Sequence, residues 1–333
     1  MKKLTAYIKK FSHARICVIG DMTADVYVYG KPYRLSREAP VIVIRYDSEE
    51  LIPGGAANTV NNLLELGAQV YPVGILGNDR TGSRLFSLLG AKCSTLDGII
   101  LDPEYPTIMK TRILAGDDNT TKQQVLRVDR DNAAAPSEEH QQRIVDYIQQ
   151  IAADIDAWII SDYGYGLFTP KVLACLKRIA REKIMVVDSR YHMKEFKGAT
   201  MVTPNQAEAE QVTGIPITDT SSLQRAGEKL LKIVKPQAAL ITLGNKGMAL
   251  FEPGMRPVHI PVVGTDTISD VTGAGDTVVA LIALALSAGA QFLDAARLAN
   301  YAASVVVMKP GTATLTPQEL VNALSTSSST KQL

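Results

Sequence analysis

The chain has 333 residues, of which 46% are hydrophobic, and its 35 basic and 34 acidic side chains leave a net charge of +1. A chain of this length can bury the core of one large α/β domain or of two smaller domains. Acidic and basic residues are interspersed, which excludes the basic surface that a nucleic acid or an anionic membrane requires. We therefore expect a globular protein whose partners are small molecules.

The two ends of the chain and its cysteines favour a cytoplasmic protein. The segment 2–11 predicts a short amphipathic helix without a signal-peptide core, and the apolar helix candidate 278–290 is too short to cross a bilayer. The three cysteines lie far apart in apolar surroundings, as reduced core cysteines do. Ser and Thr dominate residues 326–333, which predicts a disordered tail after a folded domain of residues 1–325.

From residue 15 onward, short apolar strands alternate with amphipathic helices. The strand patterns cover 16–19, 70–75, 158–161, 184–187, 201–202 and 239–242, and the helical patterns cover 56–66, 138–151, 171–181 and 223–234. Strands that alternate with helices in this way form a parallel sheet covered by helices on both faces. The predicted fold class is therefore α/β, with a doubly wound, mainly parallel sheet.

Two stretches break this alternation. Residues 26–29 with 41–46, and 108–115 with 124–128, show the alternating polar and apolar positions of antiparallel strand pairs. We expect a small β-sheet at one end of the main domain, a candidate lid within segments 22–46 and 98–128. The alternative is that these strands are edge strands of the main sheet.

A glycine-rich turn at residues 270–277, Asp-Val-Thr-Gly-Ala-Gly-Asp-Thr, leads directly into an apolar helical run. The first amides of a helix lack intrahelical partners and lie at the positive end of its dipole, which suits a phosphoryl group. Beside Gly273, Ala274 and Gly275 as an anion hole, Asp276 is placed to accept a proton. An ordinary tight turn with Asp276 as a helix cap is the alternative. A dinucleotide loop is disfavoured because its third glycine is missing, and no Walker-type loop occurs.

Glycine and polar residues nearer the N-terminus indicate a sugar site. Asp21 ends the first predicted strand, where the carboxyl ends of parallel strands form a ligand crevice, and could accept two sugar hydroxyls. Gly54 and Gly55 let a ligand approach the backbone, while the Asn58 amide can bond to a polyol. A tight loop and a helix or turn cap explain these residues nearly as well, and Asp25 could serve either role.

Two later strand ends carry residues suited to a nucleotide and its metal. Asn205 and Glu208, three apart at a helix start, could orient waters around Mg²⁺. A capping box between them is the alternative, and the local sequence favours it. Thr242 and the turn after it could line a nucleotide phosphate or ribose, which is compatible with a hairpin into 248–251. The four histidines show no ligand spacing, and we assign them no metal or catalytic role.

Three of these motifs, in this order, closely resemble those of ribokinase-like (PfkB) carbohydrate kinases. They are Gly-Gly-Ala-Ala-Asn at 54–58, Asn-Gln-Ala-Glu at 205–208 and Asp-Val-Thr-Gly-Ala-Gly-Asp at 270–276. The resemblance spans roughly residues 15–317. It implies a ribokinase-like fold with a β-sheet lid, ATP with Mg²⁺, a monovalent cation such as K⁺ near Asp266 and 309–312, and a homodimer paired through the lid.

The resemblance also assigns roles to individual residues. Asp276 would accept the proton of the sugar hydroxyl while the amides of 273–275 stabilise the transferring group. Glu208, with Asn205, would orient Mg²⁺ through water. The sugar would be bound by Asp21, Asp25, Gly54, Gly55 and Asn58, and the nucleotide by Asn205, Thr242, Gly244, Gly247 and Asn300.

Within this family, other stretches look like the kinase domain that phosphorylates D-glycero-β-D-manno-heptose 7-phosphate at its anomeric hydroxyl. They lie at 20–25, 29–30, 36–41, 110–112, 161–163 and 198–200. This similarity implies a sugar-phosphate acceptor and makes Lys110, Arg112 and Arg34 candidates for binding its phosphate. No nucleotidyltransferase segment follows, and a fused second reaction is not expected.

The chain departs from that heptose-kinase pattern at two places. Tyr165 stands where those kinases usually carry a lysine, and Asp-Ser-Arg at 188–190 replaces Asp-Pro-Lys. Arg190 could compensate for a lost charge, although its planar fork reaches differently from an ammonium group. Two alternatives stay open: a kinase for an unphosphorylated sugar or a nucleoside, and a non-catalytic sugar- or nucleotide-binding protein on the same fold.

Overall fold

The computed structural model describes residues 2–117, 122–132, 134–263 and 270–329. Within these ranges the strands are β1 (Arg15–Gly20), β2 (Met22–Leu35), β3 (Ile42–Gly55), β4 (Gln69–Gly77), β5 (Ile99–Asp102), β6 (Met109–Ala115), β7 (Gln123–Arg130), β8 (Ala157–Asp162), β9 (Ile184–Ser189), β10 (Met201–Val202), β11 (Ala238–Thr242), β12 (Met248–Phe251) and β13 (Val258–Ile260). The helices are α1 (Lys2–Ile8), α2 (Ala56–Glu65), α3 (Arg80–Gly90), α4 (Glu138–Ile151), α5 (Pro170–Ile179), α6 (Gln206–Thr213), α7 (Thr220–Val234), α8 (Ala274–Ser287), α9 (Phe292–Val306) and α10 (Pro317–Ser329).

The main sheet has nine strands in the order β13-β12-β11-β10-β9-β8-β1-β4-β5. The strands from β11 to β5 in this order pair in parallel, and β12 and β13 are added antiparallel at one edge. Because β1 lies between β4 and β8, the strand order reverses there, and the carboxyl ends of these strands open onto a crevice. The predicted mainly parallel, doubly wound sheet is confirmed.

Alternate side chains of the central strand β1 pack on opposite faces of the sheet. Ile16 and Val18 lie in a core cluster with α2, α8 and α9, whereas Cys17 and Ile19 lie in a second cluster with α4, α5 and α7. An apolar run of period two with both faces covered is typical of a parallel strand between helix layers. Helix α8 is buried from Asp276 to Leu286, and it is apolar on all sides from Val278 onward, as a helix at the centre of a large core is.

The smaller sheet, which we call the lid, has four strands in the order β3-β2-β6-β7. β2 pairs antiparallel with β3, and β6 pairs antiparallel with β7, while β2 and β6 run parallel. The predicted antiparallel pairs are therefore confirmed. The alternative, in which these strands extend the edge of the main sheet, is wrong.

The lid boundaries differ from those predicted. β3 pairs with β2 from Ile42 opposite Leu35 to Gly55 opposite Met22, so this part of the lid runs past the predicted segment 22–46. β5 pairs in parallel with β4 of the main sheet, which removes the first residues of segment 98–128 from the lid. A strand of four residues carries too short a pattern to indicate which sheet it joins.

The C-terminus is helical further than its composition predicted. α10 ends at Ser329, so residues 326–329 are helical, because they continue a helix whose Leu320 and Leu324 are buried in the core. Residues 330–333 lie outside the described residues. In the part of the chain that the structure describes, no helix is both long and apolar enough to cross a membrane.

Candidate active site

The glycine-rich turn leads into α8 as the sequence predicts. Gly273 precedes the first helical residue with a φ of 79°, and a Cβ there would lie 2.6 Å from Asn58 Nδ2, so the turn requires glycine. Among the described residues no side chain caps α8, and while Ala274 N donates to Val271 O at 3.3 Å, the Gly275 amide is left to a ligand. The alternative in which Asp276 is the helix cap is therefore wrong. The Asp270 carboxylate stabilises the turn by accepting from Thr272 N at 2.9 Å.

Asp276 lies on the first turn of α8 and is 4% exposed. Its carboxylate accepts hydrogen bonds from Asn58 Nδ2 at 2.8 Å, from the Tyr163 hydroxyl at 2.7 Å and from the Thr59 hydroxyl at 3.3 Å. Burial raises the pKa of Asp276 to about 6, although these three donors oppose the shift. A carboxylate with this pKa is ionised at neutral pH and can still accept a proton.

A polar cavity of about 410 Å³ opens in front of Asp276. Strands of the lid form one wall, and the carboxyl ends of β8 and β9 form another. The cationic side chains that line it are Lys110, Arg112, Arg127 and Arg190, and the acidic ones are Asp25, Asp162, Asp188, Glu208 and Asp276. Cationic donors beside a buried base can bind a phosphorylated ligand while the base acts on one of its hydroxyls.

The lid cations form one row across β6 and β7. Arg112 lies opposite Arg127 in the strand register, and Lys110 lies two residues before Arg112. Arg112 Nη1 is 3.0 Å from Asp25 Oδ1, and Arg127 donates to both oxygens of Asp129 at 2.9 and 2.7 Å. The Lys110 ammonium instead lies against two tyrosine rings, 5.2 and 6.0 Å from their centroids, and burial lowers its pKa.

A second, mainly apolar cavity of about 550 Å³ adjoins the polar one. The two cavities share Gly275 and Thr242 among their lining residues, so they meet at the start of α8. The predicted nucleotide residues Gly244, Gly247 and Asn300 also line the apolar cavity, and the Asn300 amide donates to a backbone carbonyl at 2.8 Å. An apolar slot that ends at the start of a helix is suited to a purine ring with its phosphates.

The capping role and the cavity-facing role of Glu208 coexist. Asn205 Oδ1 accepts from Glu208 N at 3.0 Å, and Glu208 Oε2 accepts from Asn205 N at 2.9 Å, so the predicted capping box is confirmed. Glu208 also lines the polar cavity, where Arg190 Nε is 3.9 Å from its Oε1. Burial and the neighbouring Glu208 raise the pKa of Asp188 well above its usual range. Two carboxylates this close are suited to a divalent cation.

Arg34 and Asp21 do not line the polar cavity. Arg34 lies near the exposed end of β2, where its guanidinium donates to Leu35 O at 3.1 Å. Asp21 is 3% exposed, and its Oδ2 accepts from Tyr163 N at 2.8 Å and from Tyr165 N at 3.3 Å. Its carboxylate is therefore used to fix the loop after β8.

The other predicted sugar residues lie in the cavity wall or directly behind it. Asp25 and Gly55 line the polar cavity. A Cβ on Gly54 would lie 2.8 Å from Asp25 Cγ, so glycine allows Asp25 its place. Asn58 contacts Asp276 rather than the cavity. In the turn before α8, Gly273 and Gly275 line the polar cavity, and Ala274 lines the apolar one.

Several residues of the site were given no role by the sequence, among them Thr59, Arg127, Tyr163 and Asp188. Thr59 and Tyr163 donate to Asp276, and Arg127 and Asp188 line the polar cavity. Arg127 could have been found, because the register of an antiparallel pair places it beside Arg112 on one face. Thr312, which the resemblance placed near a monovalent cation, also lines the polar cavity.

The chain is similar in sequence to known proteins. Residues 13–319 match the family described as pfkB family carbohydrate kinase. Two relatives, each named bifunctional protein HldE, are 42% identical over 320 residues in Geobacter sulfurreducens and 39% identical over 315 residues in Wolinella succinogenes. These matches cover 94% of this chain but 64% and 65% of the relatives, so the chain spans less than two thirds of their length.

Solved structures share the fold. Arabidopsis thaliana ribokinase, complexed with ribose and ATP, matches with a TM-score of 0.71 at 22% identity, over 93% of this chain and 98% of the ribokinase. Phosphofructokinase-2 from Escherichia coli, in complex with substrates and products, matches with a TM-score of 0.76 at 16% identity, over 95% of this chain and 99% of that enzyme. With the family match over nearly its whole length, the chain belongs to the pfkB family of carbohydrate kinases.

Proposed function

We propose that this chain is an ATP-dependent kinase that transfers the γ-phosphoryl group to the anomeric hydroxyl of D-glycero-β-D-manno-heptose 7-phosphate. The observation that carries the proposal is the position of Asp276. Its buried carboxylate lies at the start of α8, where the polar cavity and the apolar cavity meet. Family membership supports a sugar hydroxyl as the acceptor. The heptose 7-phosphate follows from the motif resemblance, and the lid cations support a phosphorylated acceptor.

ATP would lie with its adenine in the apolar cavity and its γ-phosphoryl group at the start of α8. The apolar walls would bury the adenine ring, and Thr242 and Asn300 would offer it polar contacts. The amides of Gly273 and Gly275 would donate to the transferring group, whereas Ala274 N already donates to Val271 O at 3.3 Å. The helix dipole favours the negative charge that develops there. Glycine at 275 keeps the junction of the two cavities open, because it lines both.

Asp276 would take the proton of the attacking hydroxyl. As the sugar oxygen bonds to the γ-phosphorus, the bond from that phosphorus to the β-phosphate oxygen breaks and ADP leaves. The proton passes to the Asp276 carboxylate, whose pKa of about 6 suits it to accept the proton at neutral pH. Asn58 Nδ2, 2.8 Å from Asp276 Oδ2, holds the carboxylate in position.

The phosphate of the acceptor would bind to the cationic row of the lid. Lys110, Arg112 and Arg127 all line the polar cavity, and Arg127 takes the role that the sequence predicted for Arg34. Arg190 faces them from the loop after β9. Because it lies near Glu208, which would help to hold Mg²⁺, it suits the phosphates of ATP. Arg112 and Arg127 already lie beside Asp25 and Asp129, whereas Lys110 lies against tyrosine rings. An unphosphorylated sugar or a nucleoside would bring no anion to the Lys110 ammonium, which disfavours that alternative.

Glu208, Asn205 and Asp188 are the residues that would hold Mg²⁺. Repulsion from Glu208 contributes to the raised pKa of Asp188, and a divalent cation beside both would relieve it. Within the described ranges no three His, Cys, Asp or Glu side chains could bind a metal together. Mg²⁺ needs few protein ligands, because it keeps several of its waters. When bound, the ion would offset negative charge on the phosphates of ATP.

A K⁺ site next to the α8 turn is also part of the proposal. Asp266 lies outside the described residues, whereas Gly311 N donates to Asp270 Oδ2 at 3.2 Å and ties the 309–312 segment to the turn. A cation bound at this contact would act on the anion-binding amides. Equal turnover in K⁺ and in tetramethylammonium would remove the site from the proposal.

We further propose that the chain forms a homodimer through the lid. Large apolar side chains of the lid region are exposed, among them Tyr33 by 56%, Leu35 by 72%, Tyr46 by 64% and Leu126 by 54%. Exposed apolar patches of this kind mark protein interfaces. Light scattering should give twice the chain mass of 36.0 kDa, and Leu35→Lys should lower it toward that of one chain. A wild-type mass of one chain would contradict the dimer.

The experiment that tests the kinase proposal is ADP release with Mg-ATP on heptose 7-phosphates, hexose phosphates, unphosphorylated sugars and nucleosides. We expect turnover on heptose 7-phosphate that falls by about 10² or more in Asp276→Asn. Asp219→Asn is the matched control, because it removes the same charge at the remote N-cap of α7, where asparagine caps equally well. Turnover confined to an unphosphorylated acceptor would discard the heptose. Thermal stabilisation by ligands without ADP release would favour the binding protein.

A further inference from the structure

Tyr163 connects the base to two cations of the polar cavity. It follows β8 directly, and its hydroxyl donates to Asp276 Oδ1 at 2.7 Å. Arg190 Cζ lies 4.7 Å from the centroid of its ring, and Lys110 Nζ lies 5.2 Å from the same centroid. The side chain therefore touches the base at its tip and the cations along its ring, and neither the family match nor the motifs assign it a role.

Two buried aspartates hold the backbone that carries Tyr163. Asp21 Oδ2 accepts from Tyr163 N at 2.8 Å, and Asp162 Oδ1 accepts from Gly164 N at 3.0 Å. Gly164 has a φ of 85°, a left-handed conformation that turns the chain immediately after Tyr163. The loop therefore fixes the direction of the hydroxyl, and the buried carboxylate of Asp21 is explained by this support.

Hydrogen bonds oppose the effect of burial on Asp276. Burial favours the protonated acid, whereas Asn58, Thr59 and Tyr163 each donate to the ionised form. On Oδ1 the bond from Tyr163 is the shorter, at 2.7 Å against 3.3 Å from Thr59. Burial and the neighbouring Asp276 raise the pKa of Tyr163 well above its usual value, so its hydroxyl stays a donor at neutral pH.

Given the proposed kinase reaction, we propose that Tyr163 is a positioning residue, which keeps the Asp276 carboxylate ionised and aligned to take the proton of the sugar hydroxyl. The charged groups that face the carboxylate are Asp25 of β2, Asp188 of β9 and, across the Tyr163 ring, Lys110 of β6 and Arg190. The two acidic neighbours oppose its charge. The donors on its oxygens, of which Tyr163 is the closest, stabilise it.

Tyr163→Phe tests this role because it removes the hydroxyl and leaves the ring against Lys110 and Arg190. The measurement is kcat and kcat/KM on the acceptor that the wild type uses, across the pH range around neutrality. Loss of the donor raises the pKa of Asp276, so the acid limb of kcat/KM should move up by about one pH unit. A merely structural defect would lower kcat alike at every pH and would not move the limb.

Tyr165→Phe is the matched control. The Tyr165 ring also lies near Lys110, with the ammonium 6.0 Å from its centroid, but its hydroxyl bonds to Asp131 and not to Asp276. The acid limb of kcat/KM in Tyr165→Phe should coincide with that of the wild type. An unmoved limb in Tyr163→Phe, or equal shifts in both variants, would overturn the positioning role and leave the kinase function standing. A wild type without turnover on any acceptor would overturn the proposed function and this inference with it.

Discussion

Alanine at Gly273 and alanine at Gly275 should separate the two demands on the turn before α8. At Gly273 the backbone is left-handed, and a Cβ would lie 2.6 Å from Asn58 Nδ2 and 3.0 Å from Thr312 Cγ2. At Gly275 the backbone is helical, and the one neighbour within 4 Å of a Cβ is Asp188 Oδ2 at 3.8 Å, an ordinary contact. An alanine at position 273 would therefore be strained and crowded, whereas an alanine at position 275 would be neither.

The expected magnitudes follow from these contacts. For Gly273→Ala, left-handed backbone costs roughly 1–2 kcal/mol, and overpacking against Asn58 adds about 1–3 kcal/mol. We expect the free energy of unfolding to fall by about 2–5 kcal/mol, with lower turnover because Asn58 positions Asp276. For Gly275→Ala, helix propensity favours alanine by roughly 0.5–1 kcal/mol. The methyl group, however, would enter the junction of the two cavities, so turnover should fall by about 10².

Urea unfolding and ADP release in the same buffer check both halves of this prediction. A Gly273→Ala variant as stable as the wild type would refute the packing around Asn58. A Gly275→Ala variant with wild-type kcat and wild-type KM for ATP would refute the position of the phosphoryl group at this turn.

Three further predictions concern the charges of the site. Because the pKa of Asp276 is about 6 rather than the usual 3.8, the folded chain holds the proton more tightly, so stability should fall as pH rises between these values. Over this pH range the free energy of unfolding of the wild type, measured with urea, should fall by about 3 kcal/mol relative to that of Asp276→Asn. Parallel pH profiles of the two proteins would contradict this prediction. Lys110→Met should raise KM for the phosphorylated acceptor about 10-fold or more, with Arg34→Met near wild type as its control, and equal KM values would exclude the lid from phosphate binding. Glu208→Gln should raise the Mg²⁺ concentration for half-maximal turnover, and an unchanged titration would leave Glu208 its capping role alone.

The parallel sheet and the glycine-rich turn before α8 could be predicted because their signals are local. A few neighbouring residues are enough to indicate the apolar run of β1 and the helix that follows a strand. The same holds for the turn that places Asp276 at the start of α8. The capping box of Asn205 and Glu208 is equally local. In the lid, the period-two pattern indicated antiparallel pairs, although it did not mark where β3 ends.

The residues that were missed or misplaced depend on contacts between distant segments. The carboxylate of Asp21 accepts from Tyr163 N, 142 residues later, and no pattern near either residue indicates this bond. Arg34 and Arg127 are both lid arginines, but register alone decides that Arg127 lies beside Arg112 and faces the cavity. Loop packing and strand register are set by the whole fold, which is why the sequence pattern singled out Asp276 but not Tyr163, which donates to it.

Phosphorus NMR of the reaction products tests the proposed transfer most directly. Wild-type chain, Mg-ATP and D-glycero-β-D-manno-heptose 7-phosphate should give ADP and a second phosphate ester whose phosphorus couples to the anomeric hydrogen. Asp276→Asn should leave the ATP and sugar-phosphate signals unchanged over the same time. A new ester on any other carbon would contradict the proposed acceptor hydroxyl, and an Asp276→Asn variant that forms the ester at the wild-type rate would contradict the role of Asp276 as the base.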